Sequence, residues 1–132
     1  MQITVDTSAL IAVITAEKCK PVILASTRGK TLVAPPSIHW EIGNAFSAMV
    51  KRKRISLAQA HQCLDALAEI PIKYFDVSLK RSLELVDRFQ IYAYDAYLLV
   101  CAVETRSPLL TLDDALASHA KRLGIVVVEV SR

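Results

Sequence analysis

The run Ile3-Thr4-Val5-Asp6-Thr7-Ser8 joins a β-branched segment to an aspartate and two hydroxyl residues, and the apolar, helix-like stretch Ala9 to Ala16 follows directly. β-Branched residues favour extended backbone, so this is a short buried strand that delivers a carboxylate just before a helix. In open α/β sheets the ligand crevice lies outside the carboxyl ends of the strands, which places Asp6 where such folds do chemistry. A helix-capping Asp or Ser would give the same local pattern. The significance of Asp6 therefore depends on other carboxylates converging on it.

The rest of the chain supplies the frame for that convergence. With 132 residues, 53% of them hydrophobic and 22% charged, the chain reads as one compact domain spanning 1–132 with a core of its own. A net charge of +3 is too mild to name a partner, so any nucleic-acid role has to come from where basic residues cluster. Cys19, Cys63 and Cys101 are widely spaced, odd in number and without Cys/His ligand spacing. They read as small hydrophobes in a reducing compartment. No signal peptide is read at the N-terminus and no uncharged stretch is long enough to cross a bilayer, so a cytoplasmic protein with no membrane partner is expected.

Strands and helices alternate along the whole length. Helices are predicted over Ala9 to Thr15 and Pro21 to Arg28, the second stopped by Gly29. Strand two is Thr31 to Ala34, ended by Pro35-Pro36, and Ser37 opens a long helix to about Lys51. Ser56-Leu57-Ala58-Gln59 has the form of a capping box and starts a helix ending near Ile70. Ile72 to Phe75 reads as strand three, Leu79 to Phe89 as a helix, and Ile91 to Val103 as a further helical run. Leu109 to Leu112 is strand four, Ala115 to Leu123 a helix stopped by Gly124, and Ile125 to Val130 the last strand. This order defines an α/β domain around a mostly parallel sheet.

Three acids repeat the logic of Asp6. Glu41 falls inside the apolar stripe Ile38, Ile42, Ala45, Phe46 and Met49, where an unpaired carboxylate is costly. A Glu at the edge of that stripe, reaching to solvent, is the competing reading. Asp95 begins the stripe continued by Leu98, Leu99, Ala102 and Val103, although an ordinary helix cap would sit there too. Asp113 follows strand four as Asp6 follows strand one. Carboxylates gathered at one sheet edge repel one another and lose hydration. A hard divalent cation with oxygen ligands, magnesium or manganese, is the cheapest relief, and such sites hold phosphate and activate water.

The segments Val5-Asp6-Thr7-Ser8-Ala9-Leu10, Trp40-Glu41-Ile42-Gly43-Asn44-Ala45, Asp95-Ala96-Tyr97-Leu98-Leu99 and Thr111-Leu112-Asp113 resemble, in order and spacing, the motifs of PIN-domain ribonucleases. The similarity is greatest to VapC-type toxins of toxin–antitoxin pairs and covers essentially the whole chain. It implies a three-layer PIN-like fold with a five-stranded sheet in the order 3-2-1-4-5 and helices on both faces. It also implies metal-dependent endonucleolytic cleavage of RNA, transfer or ribosomal, leaving a 5′-phosphate and a 3′-hydroxyl. The family's acidic cluster carries over to Asp6, Glu41, Asp95 and Asp113, as catalytic residues and ligands of Mg²⁺ or Mn²⁺. Thr111 would help hold the cluster and Ser8 would bind water or position it. The fourth ligand could be Asp113 or Asp114; the Thr-x-Asp spacing favours Asp113, leaving Asp114 as N-cap of the following helix. The partners implied are RNA, a cognate antitoxin and a second copy of the chain.

Lys51-Arg52-Lys53-Arg54 is the one dense charge run, readable as an RNA phosphate clamp or as a solvated helix end. Trp40, Tyr92, Tyr94 and Tyr97 flank the acids and suit either base stacking or packing against a partner. His39, His61 and His119 show no ligand spacing and receive no role, and Glu17 receives none either. The rival from another class is a catalytically silent PIN-like module that binds a partner protein. Phosphotransfer domains are disfavoured: Asp6-Thr7-Ser8 lacks the second acid of an Asp-x-Asp site, and no lysine follows strand four or five as a receiver domain needs.

Overall fold

The computed structural model describes residues 1–17 and 20–130; Cys19 lies outside the described residues. Four strands, β1 (Gln2–Val5), β2 (Thr31–Ala34), β3 (Ile72–Tyr74) and β4 (Leu109–Leu110), form a parallel sheet in the order β3-β2-β1-β4. The connecting helices are α1 (Thr7–Ile14), α2 (Lys20–Thr27), α3 (Ile38–Lys51), α4 (Leu57–Ala68), α5 (Leu79–Phe89), α6 (Ala93–Thr105) and α7 (Asp114–Arg122).

The period-two alternation of the strands creates the layers. Ile3, Val5 and Leu110 point into a core shared with Leu10 of α1 and Ile38, Ile42 and Phe46 of α3. Leu109 points the other way, into a second core with Phe89, Leu98, Leu99, Leu116 and Ala120 from α5, α6 and α7. Thr4, between Ile3 and Val5, faces that second side, and its Oγ1 shares a 2.7 Å hydrogen bond with Ser107 Oγ. It also donates at 3.8 Å to Cys101 Sγ. Burial pushes the Cys101 thiol up to about 11, so it stays protonated, and Cys101 and the half-buried Cys63 are both free thiols.

The capping box at Ser56 is present, with Gln59 N–H donating to Ser56 Oγ and Ser56 N–H donating to Gln59 Oε1. Gly29 and Gly124 both take positive φ, +73° and +77°, the left-handed turn in which a helix stops before a strand.

The sheet has four strands where five were expected. From the run Ile125 to Val130, Val127 alone forms a bridge, parallel to Leu109 on the free edge of β4. Its backbone bonds are Leu109 N–H to Val126 O and Val128 N–H to Leu109 O. The segment thus lies where a fifth strand belongs, but β4 stops after Leu110. Beyond it the backbone N–H groups are taken by side chains: Leu112 N–H donates to Ser8 Oγ at 2.9 Å and Asp113 N–H to Thr111 Oγ1 at 3.0 Å. The start of α7 also differs from expectation. Its N-cap is Asp113, whose Oδ1 accepts from Ala115 N–H and Leu116 N–H, and Asp114 is the first helical residue.

Candidate active site

β1 and β4 end side by side, and α1, α3 and α7 each take the chain from the end of a parallel strand, while α6 follows α5 and brings Asp95 into the same neighbourhood. This topology gathers the acids. Asp6 is the N-cap of α1, so the capping explanation and the site explanation hold together. It is only 3% exposed, and both carboxylate oxygens accept hydrogen bonds. Oδ1 accepts from Ser8 Oγ–H at 2.7 Å and Ala9 N–H at 3.0 Å, while Oδ2 accepts from Thr111 Oγ–H. Burial raises its pKa, those three donors pull it down, and the charge of Asp113 raises it again.

Ser8 and Thr111 act as hinges of this network. Ser8 Oγ accepts from Leu112 N–H while donating to Asp6, and Thr111 Oγ1 accepts from Asp113 N–H while donating to Asp6. Both hydroxyls therefore tie the end of β1 to the loop after β4.

Glu41 is half-buried in the first turn of α3, and its Oε2 accepts from Thr7 Oγ–H at 2.7 Å. Desolvation raises its pKa, Thr7 opposes that, and the charges of Asp95, Asp6 and Asp113 each add to the rise. Asp95 is half-buried in the first turn of α6, whose N-cap is Tyr92 and not Asp95. Its pKa is raised by desolvation and by Asp113, and the nearby His119 lowers it. Asp113 is exposed and sits among the other three as the common like charge.

The four acids thus share one electrostatic neighbourhood at the carboxyl edge of the sheet. Among the described residues no three His, Cys, Asp or Glu side chains are close enough to cage a metal ion as they stand. The donor set nevertheless fits Mg²⁺ or Mn²⁺: it is all carboxylate oxygen, and it is destabilised by its own mutual repulsion, which a divalent cation removes.

Sequence reading missed two residues of this neighbourhood. Thr7 is the hydrogen-bond donor to Glu41, and the paired hydroxyls of Asp6-Thr7-Ser8 were its available signal. His119 reaches Asp95 only through the way α7 lies beside α6, which no local spacing reports. Lys51 to Arg54 are exposed and lie at the far end of α3 from Glu41, roughly 15 Å away at 1.5 Å rise per residue. They are therefore remote from the acids. Trp40 and Tyr92, at the starts of α3 and α6, are 69% and 82% exposed, which rules out a packing role within the described fold.

A three-layer parallel sheet with an acidic carboxyl edge is the architecture of the PIN domain, and the PIN domain family matches residues 3–123. The chain belongs to that family. No curated protein matches the sequence. Among solved structures it is similar to PAE2754 from Pyrobaculum aerophilum, with a TM-score of 0.75 and 23% identity over 97% of this chain and 84% of that one. It is also similar to VapBC2 from Rickettsia felis, solved bound to a promoter DNA fragment, at TM-score 0.70 and 13% identity over 99% and 100% of the two chains. VapC20 from Mycobacterium tuberculosis, described as a sarcin-ricin loop cleaving toxin, aligns at TM-score 0.67 and 12% identity over 96% and 98%. At these identities the likeness is one of fold.

Proposed function

We propose that this PIN-domain protein is a Mg²⁺- or Mn²⁺-dependent endoribonuclease that serves as the toxin of a toxin–antitoxin pair. The observation that carries the reading is the convergence of Asp6, Glu41, Asp95 and Asp113 at one sheet edge, with Asp6 buried and fixed by three donors. Membership of the PIN family and the likeness in fold to VapC toxins support it.

In this reading the four carboxylates hold the cation. Once bound, the cation supplies charge neutralisation at the scissile phosphate and lowers the pKa of a water for in-line attack. The remaining work belongs to the protein. Ser8 and Thr111 lock the Asp6 carboxylate in one orientation, and Thr7 does the same for Glu41. Asp113 keeps Oδ1 on the α7 cap, which fixes its carboxylate and leaves Oδ2 for the cation. Exposed Trp40 and Tyr92 offer stacking surfaces on either side, which suits unpaired bases. No covalent nucleophile is required of Ser, Cys or His.

The partners follow from the same reading. A cognate antitoxin would cover the site, and a second copy would cover part of the exposed apolar surface. The test is cleavage of RNA by the purified chain. EDTA is expected to abolish it, Mg²⁺ or Mn²⁺ to restore it, and Asp6→Asn to remove it. Full activity in EDTA, or in Asp6→Asn protein freed of contaminating nucleases, overturns the proposal. Partner binding with no cleavage under any metal would establish the silent binding module in its place.

A further inference from the structure

Arg88 near the end of α5 and Arg122 at the end of α7 come from different elements, yet their guanidinium carbons lie 5.0 and 4.7 Å from the centroid of the same Phe89 ring. The His119 imidazole stacks on that ring too, with centroids 4.9 Å apart and planes 29° apart. Each contact alone is an ordinary cation–π or ring pair. Together they gather two full positive charges around one ring. The ion pairs found among the described residues, Arg81–Glu104 and Lys121–Glu129, use other cations of the same two helices. Phe89 attracts each guanidinium but does nothing for their mutual repulsion; an anion between them would.

His119 links this cluster to the acids. Phe89 leads through Gln90 to Tyr92 directly into the first turn of α6, where Asp95 stands, and His119 lies near enough to Asp95 to act on its charge. Nδ1 of His119 is buried with no hydrogen-bond partner, and the ring is stacked on Phe89. Planar guanidinium groups match phosphate oxygens in pairs, which a solvated lysine does not.

Resting on the ribonuclease reading above, we propose that Arg88, Arg122 and the His119 ring form a phosphate subsite that grips the RNA backbone beside the scissile phosphate, on the α5–α7 flank of the acid cluster. Its ligand is a phosphodiester of single-stranded RNA.

The test is binding of a fluorescein-labelled single-stranded RNA in EDTA, where cleavage is silent. Wild type is compared with Arg88→Gln/Arg122→Gln, with Arg88→Lys/Arg122→Lys, and with the charge-matched control Arg28→Gln/Lys30→Gln between α2 and β2. The Gln pair is expected to weaken binding by about tenfold or more at moderate salt and to flatten the dependence of affinity on salt, while the control changes little. The Lys pair keeps the charge and the fold, and is expected to recover only part of the affinity. Equal losses in the Gln pair and the control, or no loss in either, overturn the subsite, as does failure of wild type to bind RNA. Stabilisation by inorganic phosphate that needs both arginines, with RNA affinity unchanged, overturns it as an RNA site. Cleavage assayed in Mg²⁺ on the same samples separates the two proposals: cleavage with arginine-independent affinity removes the subsite alone, and arginine-dependent affinity without cleavage removes the nuclease alone.

Discussion

Asp6 shows how one residue can be both structural and chemical. Capping α1 requires an acceptor at that position, and a neutral Asn would serve as well. A charged carboxylate there is worse for folding, because burial and Asp113 raise its pKa above the ordinary value. A carboxyl whose folded pKa is raised favours the fold in its protonated form. Its contribution is fully present below the unfolded value of 3.8 and is lost as pH rises through the folded value. Glu41 and Asp95 shift in the same direction, so the metal-free protein is expected to lose stability from this cluster as pH climbs toward neutrality. Asp6→Asn is therefore expected to cut cleavage by orders of magnitude, metal-mediated charge stabilisation being worth roughly several kcal/mol, while raising the melting temperature at neutral pH in EDTA. The gain should shrink on acidification; a gain that stays constant with pH would deny the charge argument. Thr7→Val tests the hydroxyl that orients Glu41: losing the 2.7 Å bond should weaken Mg²⁺ affinity by about 10–100-fold, read by metal titration of cleavage, with the fold retained. At this scale the four acids were legible because each follows a strand or falls in an apolar stripe, whereas Ser8 and Thr111 came from the resemblance to PIN-domain motifs. Thr7 and His119 were not legible, because their partners are distant in sequence.

The elements were legible where periodicity and capping act locally, and illegible where one element's fate depends on another. α5 runs from Leu79 to Phe89 and β2 from Thr31 to Ala34, as their spacing and flanking residues dictate. Ile125 to Val130 has all the β-branched character of a strand, but only Leu109 is free to pair with it, because the site takes over the backbone after Leu110. The same competition moved the cap of α7 from Asp114 to Asp113, since the loop that brings Asp113 to the site also aims its Oδ1 at Ala115 and Leu116 N–H. That double use separates two substitutions. Asp113→Asn keeps a good cap and is expected to fold normally while losing most cleavage; Asp113→Ala should in addition cost about 1 kcal/mol in denaturant unfolding. Asp114→Asn should leave cleavage nearly intact. If Asp114→Asn proves the more damaging in cleavage assays, the fourth ligand is Asp114. The basic run after α3 belongs to this scale too. Replacing Lys51, Arg52, Lys53 and Arg54 with Ala should reduce RNA affinity and its salt slope only for RNAs long enough to span from the site to the far end of α3, and short oligonucleotides should not notice.

Across the whole molecule the sheet divides the apolar surface as it divides the core. Leu79 and Leu83 of α5 and Val103 of α6 are exposed on the side of the second core. Val22 and Leu24 of α2, with Leu57 and Leu64 of α4, are exposed on helices that pack on α1, on the side of the first core. Hydrophobic surface in two separated places suits two different partners, and an apolar patch on a small domain is favourably covered by association. α5 and α6 pack on one another, and the exposed Leu79, Leu83 and Val103 on this pair are expected to join two copies, leaving the α2–α4 side for an antitoxin. Light scattering at micromolar concentration should give twice the chain mass. Leu79→Glu/Leu83→Glu should give a monomer that melts cooperatively, because both side chains are already in solvent within one chain and their loss opens no cavity. A wild type that is monomeric throughout that range defeats the dimer, and a variant that remains dimeric moves the interface away from α5.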